Sequence, residues 1–320
     1  MNLNAKIYVA GHLGLVGSAI MRHLKSKGYN NIISRTHNQL DLTNQQSVAS
    51  FFALEKPEYL FLAAAKVGGI YANNTYPAEF IFSNLAIQNN IIHQSYLSGV
   101  KRLLFLGSSC IYPRDCLQPI KEDYLLSGVL EATNRPYAVA KIAGIEMCWS
   151  YNRQYGTKYL AVMPSNLFGK GDNYHPENSH VIPALIRKFH EAKIKDLKSV
   201  YVWGSGAPKR EFLFSDDMAE ACIFLLNLDR QAFDSLVAKD SLPPLINLGS
   251  NREISIAELA NLIKEIIGFK GKITFDRSKP DGVMQKLIDS GRLNALGWKT
   301  KTNLSDGIYQ AYEDFKSLQC

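Results

Sequence analysis

Long apolar runs are missing from this 320-residue sequence, in which eighteen or more apolar residues never stand together. A membrane-spanning helix needs about that length, so we expect none. The apolar stretch near the start, Ile7–Ala10, is too short for the core of a signal peptide, and no small-residue cleavage site follows it. We therefore expect a protein that is neither secreted nor inserted in a membrane.

Cysteine is scarce, and it lacks the CxxC spacing that is typical of zinc and redox sites. The five cysteines are Cys110, Cys116, Cys148, Cys222 and Cys320. Their odd number and scattered positions favour neither a disulfide framework nor a zinc site. We expect a protein without a bound metal, in the reducing environment of the cytoplasm.

Blocks of like charge are also absent, because no five Lys or Arg residues are consecutive although the formal net charge is +7. A dispersed positive excess does not indicate a nucleic-acid-binding tail. It suits equally well a small ligand that carries several phosphates. We expect no nucleic-acid partner.

Strand-like and helical patterns alternate through the first half of the chain. The strand candidates are Lys6–Ala10, Asn31–Ser34, Tyr59–Ala63, Arg102–Gly107 and Lys158–Met163. The helix candidates between them are Val16–Lys27, Gln45–Leu54, Phe80–Ser98 and Tyr137–Tyr155. This alternation predicts an α/β fold with a Rossmann-like doubly wound parallel sheet, covered by helices on both faces.

The pattern loosens beyond residue 168, where a polar loop runs from Gly169 to Asn178. The later candidates are helix Ile182–Ala192, strand Val200–Trp203, helix Asp216–Leu226, strand Ile246–Leu248, and helices Ala257–Ile267 and Leu304–Phe315. We expect a Rossmann domain over residues 1–168, rejoined by a segment near 215–250. A smaller mixed α/β domain over residues 169–320 is expected to bind the substrate.

A glycine-rich turn with GxxGxxG spacing separates the first predicted strand from the first predicted helix. Its residues are Gly11, His12, Leu13, Gly14, Leu15, Val16 and Gly17. Glycine permits a tight turn and a close approach of backbone N–H groups to a pyrophosphate, and the start of the helix favours the anion. The spacing alone is a weak signal, but its place between a strand and a helix predicts a dinucleotide site.

The end of the second predicted strand lacks the acidic residue with which NAD sites bind the ribose hydroxyls. Arg35 and His37 stand there instead. Arg35 can pair with a 2′-phosphate, which favours NADP, although a solvated surface arginine is the alternative. Asp41 and Leu42, slightly further on, are candidates for contacts with the adenine.

Tyr137 and Lys141 have the YxxxK spacing, which places both side chains on one face of a helix. The lysine ammonium is expected to lower the pKa of the phenol from about 10, making it a general acid/base near neutral pH. Ligands bind at the carboxyl ends of strands in open parallel sheets. The residues at such an end are Leu106, Gly107, Ser108 and Ser109. Each signal is common by chance, but their order along the chain predicts a nicotinamide-dependent catalytic site.

These elements resemble the extended short-chain dehydrogenase/reductase family, and the resemblance covers nearly the whole chain. It rests on the segments Ala63–Phe80, Leu106–Pro113, Pro136–Gly144, Asn178–Ile186, Val202–Phe212 and Ser278–Gly282. The similarity is greatest to the members that act on a GDP-linked 4-keto-6-deoxy sugar. It implies NADP(H) as cofactor, a substrate of that class, and a homodimer formed through Phe80–Ser98 and Tyr137–Tyr155.

The resemblance also implies a role for particular residues, because these members invert C3 and C5 of the sugar and then reduce C4 with NADPH. On this pattern Cys110 is the base and His180 the acid of the epimerisation. Tyr137, with Ser108 and Lys141, holds the C4 oxygen and protonates it. A lone cysteine is otherwise usually a small core residue, and a lone histidine in a polar loop is usually a surface residue.

The remaining contacts implied by the resemblance lie further along the chain. The cofactor contacts are Pro164, Asn166, Leu167 and His180, and the substrate contacts are Lys188, Trp203, Arg210 and Lys272. Lys and Arg can neutralise a diphosphate, and a tryptophan can pack on a sugar or a base. Each of these residues taken alone would be read as an ordinary surface cation or core aromatic.

The chain departs from the family pattern at two positions. Many members have arginine in place of Leu13, and some have arginine in place of His37. Arg35 then remains the main candidate for the 2′-phosphate. Two alternatives stay open: a relative that only reduces C4 or that takes a GDP-linked heptose, and a non-catalytic NADP-sensing protein. The latter would need the glycine turn but not Tyr137 and Lys141.

Overall fold

The structure, a computed structural model, describes residues 1–176, 179–238, 241–279 and 281–318. Asn178, Pro280 and Cys320, which belong to the loop, a motif and the cysteine set named above, lie outside the described residues. Within these ranges, no helix combines the length and the apolar character needed to cross a membrane.

The order of elements follows the alternation expected from the sequence. The strands are β1 (Ile7–Ala10), β2 (Ile32–Ile33), β3 (Tyr59–Leu62), β4 (Arg102–Leu106), β5 (Tyr159–Pro164), β6 (Asn166–Phe168), β7 (Ser199–Trp203), β8 (Lys209–Phe214), β9 (Leu245–Leu248), β10 (Glu253–Ser255), β11 (Lys272–Asp276) and β12 (Gln285–Lys286). The helices are α1 (Leu15–Ser26), α2 (Gln45–Glu55), α3 (Ile70–Thr75), α4 (Pro77–Leu97), α5 (Arg135–Tyr155), α6 (Val181–Ile194), α7 (Ser215–Asn227), α8 (Arg230–Val237), α9 (Ile256–Ile267), α10 (Gly291–Ala295) and α11 (Leu304–Ser317).

The large sheet has the strand order β2-β1-β3-β4-β5-β9, and neighbouring strands are parallel throughout. The strand order reverses between β1 and β3, which places β1 and its following turn near the centre of the carboxyl edge. The predicted Rossmann-like fold is confirmed. β9 joins this sheet beside β5 after a long excursion of the chain.

The side chains of the large sheet alternate between two apolar cores, one on each face. Val9 and Phe61 pack with α1 and α7 on one face. Tyr8 and Phe105 pack with α2, α4 and α5 on the other. Because both faces are covered, catalytic groups can reach the outside only at the strand ends.

The smaller sheet is built around β8, which pairs with β6, β10 and β12. The strand β7 pairs in parallel with β11. Helices α6, α9 and α11 cover these strands through a third apolar core that includes Phe189 and Phe212. Because a single residue separates the carboxyl end of β5 from β6, which pairs with β8, the smaller sheet adjoins the carboxyl edge of the large sheet.

Local sequence explains where the helix α5 begins and ends. Pro136 stands in its first turn, where a missing N–H is harmless, and Gly156 ends it in the left-handed region with φ 66°. In its middle, Gly144 lies against the ring of Phe105, because a Cβ there would be 2.5 Å from Phe105 Cζ. The close approach sets α5 firmly on β4.

Candidate active site

The glycine turn lies where predicted, at the carboxyl end of β1. Gly11 has φ +85°, and a Cβ added there would be 2.6 Å from the backbone nitrogen of Ala64. A Cβ on Gly17 would be 2.1 Å from the carbonyl oxygen of Gly11. Gly14 begins α1 without a side chain that could accept from the first-turn N–H groups. The packed backbone and open helix start fit a pyrophosphate.

The turn contains no lysine or arginine. His12, Leu15 and Val16 are partly exposed. The side chain of Leu13 is 71% exposed. The turn itself therefore offers backbone N–H groups, rather than a lysine or arginine side chain, to an anion.

The segment after β2 is held by hydrogen bonds. The carboxylate of Asp41 accepts from the backbone N–H and the hydroxyl of Thr43, which lowers the pKa of Asp41. The carbonyl oxygen of Leu42 accepts from the side chain of Asn90 on α4. His37 is exposed nearby, whereas the guanidinium of Arg35 is bound by Glu55 at 2.6 Å.

A second tight passage of backbone follows β4 beyond Leu106. A Cβ on Gly107 would be 2.2 Å from the terminal methyl of Met163, so a larger residue there would require the Met163 side chain to move. Ser108 is extended, and its hydroxyl accepts from the backbone N–H of Cys110 at 3.4 Å. Ser109 and Cys110 form the 3₁₀ turn that this hydroxyl caps, and both are buried.

Tyr137 and Lys141 approach the same strand end from α5. Lys141 is only 3% exposed, and its ammonium donates to the carbonyl oxygen of Leu106 at 2.7 Å. The ammonium lies 5.7 Å from the ring centroid of Tyr137, and the rings of Tyr137 and Phe80 meet edge-on. Ser108, Cys110, Tyr137 and Lys141 are therefore brought to one place, where β4 ends.

Burial determines the protonation of these groups. It lowers the pKa of Lys141 to about 8 and raises the pKa of Tyr137 above its ordinary value. The prediction that the pKa of Tyr137 falls below its usual value of about 10 is thus wrong: the loss of hydration outweighs any stabilisation of the phenolate by the ammonium of Lys141, which donates to the Leu106 carbonyl. With its pKa raised, Tyr137 can act as a hydrogen-bond donor through its phenol. Burial also raises the pKa of Cys110. This rise is partly offset by the cations of Lys286 and Lys141 and by the hydroxyl of Ser108.

The chain from the end of β5 onward carries further residues that the sequence singled out. His180 directly precedes α6 and is exposed, although surrounding protein removes enough hydration to lower the pKa of its imidazole. A neutral imidazole can donate or accept a proton. Pro164 ends β5, and Asn166 starts β6 with its amide donating to the carbonyl oxygen of Glu211. The neighbouring Leu167 is partly buried.

An exposed tryptophan, Trp203, lies beside two lysine side chains. Trp203, at the end of β7, is 62% exposed and has the ammonium groups of Lys188 and Lys279 at 5.4 and 5.5 Å from its ring. The backbone N–H and hydroxyl of Ser205 both donate to the carboxylate of Asp281. The loop after Trp203 is thereby fastened to the chain that carries Lys279.

Arg210 and Lys286 are neighbouring cations of the smaller sheet. They are paired in register on β8 and β12, and burial lowers the pKa of both. The buried carboxylate of Glu211 accepts from the backbone N–H groups of Ile288 and Asn251 and ties the two strands together. Lys272 lies elsewhere, since β11 begins with it and only the far end of β11 is level with Trp203.

Sequence reasoning missed Lys279 and Lys286. Lys279 lies within Ser278–Gly282, a segment that was singled out for its resemblance but not for a side chain. Lys286 is next to the apolar pair Leu287 and Ile288, and an isolated lysine before such a pair is a signal that could have been used. Lys286 is placed by the pairing of β12 with β8, and Lys279 by its contact with the ring of Trp203.

Comparison with known proteins agrees with this geometry. Residues 7–236 match the model of the NAD dependent epimerase/dehydratase family, and the chain belongs to that family. Within it, the chain is 57% identical over 310 residues to the putative GDP-L-fucose synthase 2 of Arabidopsis thaliana, covering 97% of this chain and 91% of that protein. It is 51% identical to the GDP-L-fucose synthase of Escherichia coli strain K12, covering 98% and 97%. The resemblance predicted from the sequence is confirmed.

A solved structure extends the comparison to the whole chain. The GDP-mannoheptose C4 reductase MlghC from Campylobacter jejuni, with NADP bound, is 43% identical and superposes with a TM-score of 0.89. The match covers 99% of both chains. Relatives with two different sugar specificities therefore share this fold.

Proposed function

We propose that this chain is an NADPH-dependent enzyme that converts GDP-4-keto-6-deoxy-D-mannose to GDP-L-fucose, by epimerisation at C3 and C5 followed by reduction of C4. The activity named for the relatives at 51–57% identity over nearly the full length supports it. The observation that carries it is the thiol of Cys110 on the same short turn as Ser108, beside Tyr137 and Lys141.

The cofactor fits the residues at the first strand end. The backbone of Gly11–Gly17 would hold the pyrophosphate, and Leu106, Gly107, Ser109 and Leu167 would line the nicotinamide side. NADPH, when bound, supplies a hydride for C4 of the sugar. The chain itself orients the sugar carbonyl and manages the protons.

Proton transfer is assigned to three side chains. The phenol of Tyr137 and the hydroxyl of Ser108 donate hydrogen bonds to the C4 oxygen, which favours loss of a proton at C3 or C5. Cys110 as thiolate accepts that proton, and His180 delivers one to the opposite face. In the reduction Tyr137 gives its proton to the C4 oxygen, and the charge of Lys141 stabilises the resulting phenolate.

The substrate is placed by residues that follow β6. Lys188, Trp203 and Arg210 are proposed to bind the GDP portion, with the cations facing the diphosphate. Lys272 belongs to the same proposal, although it lies at the opposite end of β11 from Asp276, the residue that pairs with Trp203. We further propose that residues 1–168 with 215–250 form the cofactor domain and that the rest binds the sugar nucleotide.

Two further proposals concern the assembly and its setting. A homodimer through α4 and α5 is supported by exposed apolar side chains on these helices, including Phe82 and Leu97 at 69% and 60% exposure. A reducing cytoplasm is supported by Cys110, Cys116, Cys148 and Cys222, all of which are free thiols. The proposed partners are thus a GDP-linked sugar and a second copy of the chain.

The test is incubation with GDP-4-keto-6-deoxy-mannose and NADPH in D2O, with absorbance of the nicotinamide followed and the product identified by NMR. GDP-L-fucose with deuterium at C3 and C5 is the expected product. Cys110→Ser should retain cofactor binding and lose most of the exchange, while Tyr137→Phe should lose the reduction. Oxidation of NADPH without exchange would contradict the epimerase half.

The competing activity is C4 reduction of a GDP-linked heptose, favoured by the likeness to the Campylobacter jejuni reductase. The same assay with the GDP-4-keto-heptose decides between them through kcat/KM. A non-catalytic NADP-sensing role would instead require that Tyr137→Phe leave the cellular function intact.

A further inference from the structure

Recognition of the 2′-phosphate of NADPH rests on few cations in this chain. Leu13 is uncharged, and His37 is exposed. Arg35 is the lysine or arginine that stands nearest along the chain to the end of β2. The following inference rests on the proposed use of NADPH. It concerns how strongly the positive charge of Arg35 attracts that phosphate.

The guanidinium of Arg35 is held by three groups of the chain itself. Nη2 donates to Glu55 Oε1 at 2.6 Å, and Nη1 donates to the carbonyl oxygen of Ser34 at 2.9 Å. The guanidinium carbon lies 5.3 Å from the ring centroid of Phe51 on α2. An arginine held by a carboxylate, a carbonyl and an aromatic face has one preferred orientation.

That orientation is directed away from the glycine turn. Glu55 is the last residue of α2, and its carboxylate also binds the ammonium of Lys6 at 3.0 Å. Lys6 precedes β1, whereas the turn begins at Gly11 on the other end of that strand, about 16 Å away at 3.3 Å per residue. Continuing the pairing of Tyr8 with Ile33 places the backbone of Arg35 level with Ala10. Its side chain therefore runs back along the sheet.

The charges of this cluster partly cancel. Glu55 is only 15% exposed and carries one negative charge between Lys6 and Arg35. The carboxylate also stands at the carboxyl end of a helix, where cations are favoured, so it depends on both partners. An arginine in this setting presents less positive potential to a phosphate than a free arginine would.

We propose that Glu55 is a specificity-determining residue for the cofactor: by holding Arg35 against α2 it limits recognition of the 2′-phosphate, so the enzyme discriminates only modestly between NADPH and NADH.

The test uses two ligands that differ only in that phosphate, 2′,5′-ADP and 5′-AMP. Their dissociation constants are measured by calorimetry, without sugar or turnover. The native chain should bind 2′,5′-ADP less than about tenfold more tightly than 5′-AMP. A preference of about a hundredfold or more would overturn the proposal.

Substitution of Glu55 gives the second measurement. Glu55→Gln keeps a hydrogen-bond acceptor for Arg35 but removes the charge, and it should raise the preference for 2′,5′-ADP about threefold to tenfold. Combining it with Arg35→Met should abolish most of that gain. Glu58→Gln is the matched control, because it removes the same charge from a carboxylate that pairs with Lys101 and not with Arg35. An unchanged or lower preference in Glu55→Gln would mean that Glu55 presents Arg35 to the phosphate, and would overturn the proposal.

The native preference needs no variant, so it decides the question even if Glu55→Gln lowers stability. Binding of 5′-AMP reports an intact turn in every variant. If the native chain bound neither ligand, the proposed function would fail. If it bound both and Glu55→Gln changed nothing, only this inference would fail.

Discussion

Replacing Lys141 by methionine tests the electrostatics of the site most directly, because the side chain is buried and its ionisation is displaced. The pKa of Lys141 falls from 10.5 to about 8 through loss of hydration. The lowered pKa means that the charged lysine destabilises the folded chain, by about 3 kcal/mol at pH 7. Methionine has a similar length and carries no such penalty.

The variant also loses one favourable contact. Lys141 Nζ donates to the carbonyl oxygen of Leu106 at 2.7 Å, and leaving this buried acceptor without its donor costs about 1–3 kcal/mol. At pH 7 the variant should therefore range from equal stability to about 2 kcal/mol greater stability. It should also be nearly inactive in the reduction, because the cation that stabilises the phenolate of Tyr137 is gone.

The dependence on pH separates the two contributions. Between pH 8 and 10.5 the unfolded chain holds the lysine proton more tightly than the folded chain, so native stability rises with pH relative to the variant. Below pH 8 the lysine is charged in both states and the penalty is constant. The advantage of Lys141→Met should thus shrink by about 2.5 kcal/mol between pH 7 and pH 10.

The assay is urea unfolding of both proteins at several pH values without cofactor. Lys101→Met is a useful control, because the exposed ion pair with Glu58 raises the pKa of Lys101 and any small effect should have the opposite sign. A stability difference for Lys141→Met that stays constant within about 1 kcal/mol from pH 7 to pH 10 would refute the reasoning.

Three further substitutions probe the turn, the packing and the base. Gly17→Ala should weaken NADPH binding at least about tenfold in a fluorescence titration, because its Cβ meets the Gly11 carbonyl at 2.1 Å; an unchanged dissociation constant would contradict it. Gly144→Ala should destabilise the chain by about 1–3 kcal/mol in urea and lower kcat more than it raises KM, because its Cβ meets the ring against which α5 is set. Lys286→Met should slow deuterium exchange at C3 and C5 about tenfold at pH 7 and move its pH profile upward, since the cation favours the thiolate of Cys110. An unmoved profile would exclude that role.

The fold of the first half could be predicted because its signals are local. Strands buried on both faces, such as β4 and β5, read as short continuous apolar runs, and their ends were placed within two residues. The smaller sheet escaped detection for the opposite reason. Its strand β12 has two residues, Gln285 and Lys286, and exists only through pairing with the distant β8.

The candidate site divides in the same way. Ser108, Tyr137 and Lys141 were found because fixed spacing on one strand end or one helix places their side chains. The direction of the tyrosine pKa was mispredicted, because it depends on the hydration lost in the folded chain. The partner of Arg35 was also beyond reach, since Glu55 stands twenty residues away and meets it only when α2 packs on β2.

The late return of β9 to the large sheet has a consequence for synthesis of the chain. Until Leu245–Leu248 leaves the ribosome, β5 has an open edge with unpaired backbone groups. Helix α7, whose Asp216 binds Arg22 at 2.9 Å, arrives in the same late segment and covers α1. At 5–20 residues per second, roughly 80 residues separate β5 from β9 by about 4 to 16 seconds. The glycine turn, among the first parts to emerge, waits for α7 through roughly 200 further residues, which take about 10 to 40 seconds at the same rate. Nascent chains should need protection from aggregation while α1 and the edge of β5 are uncovered.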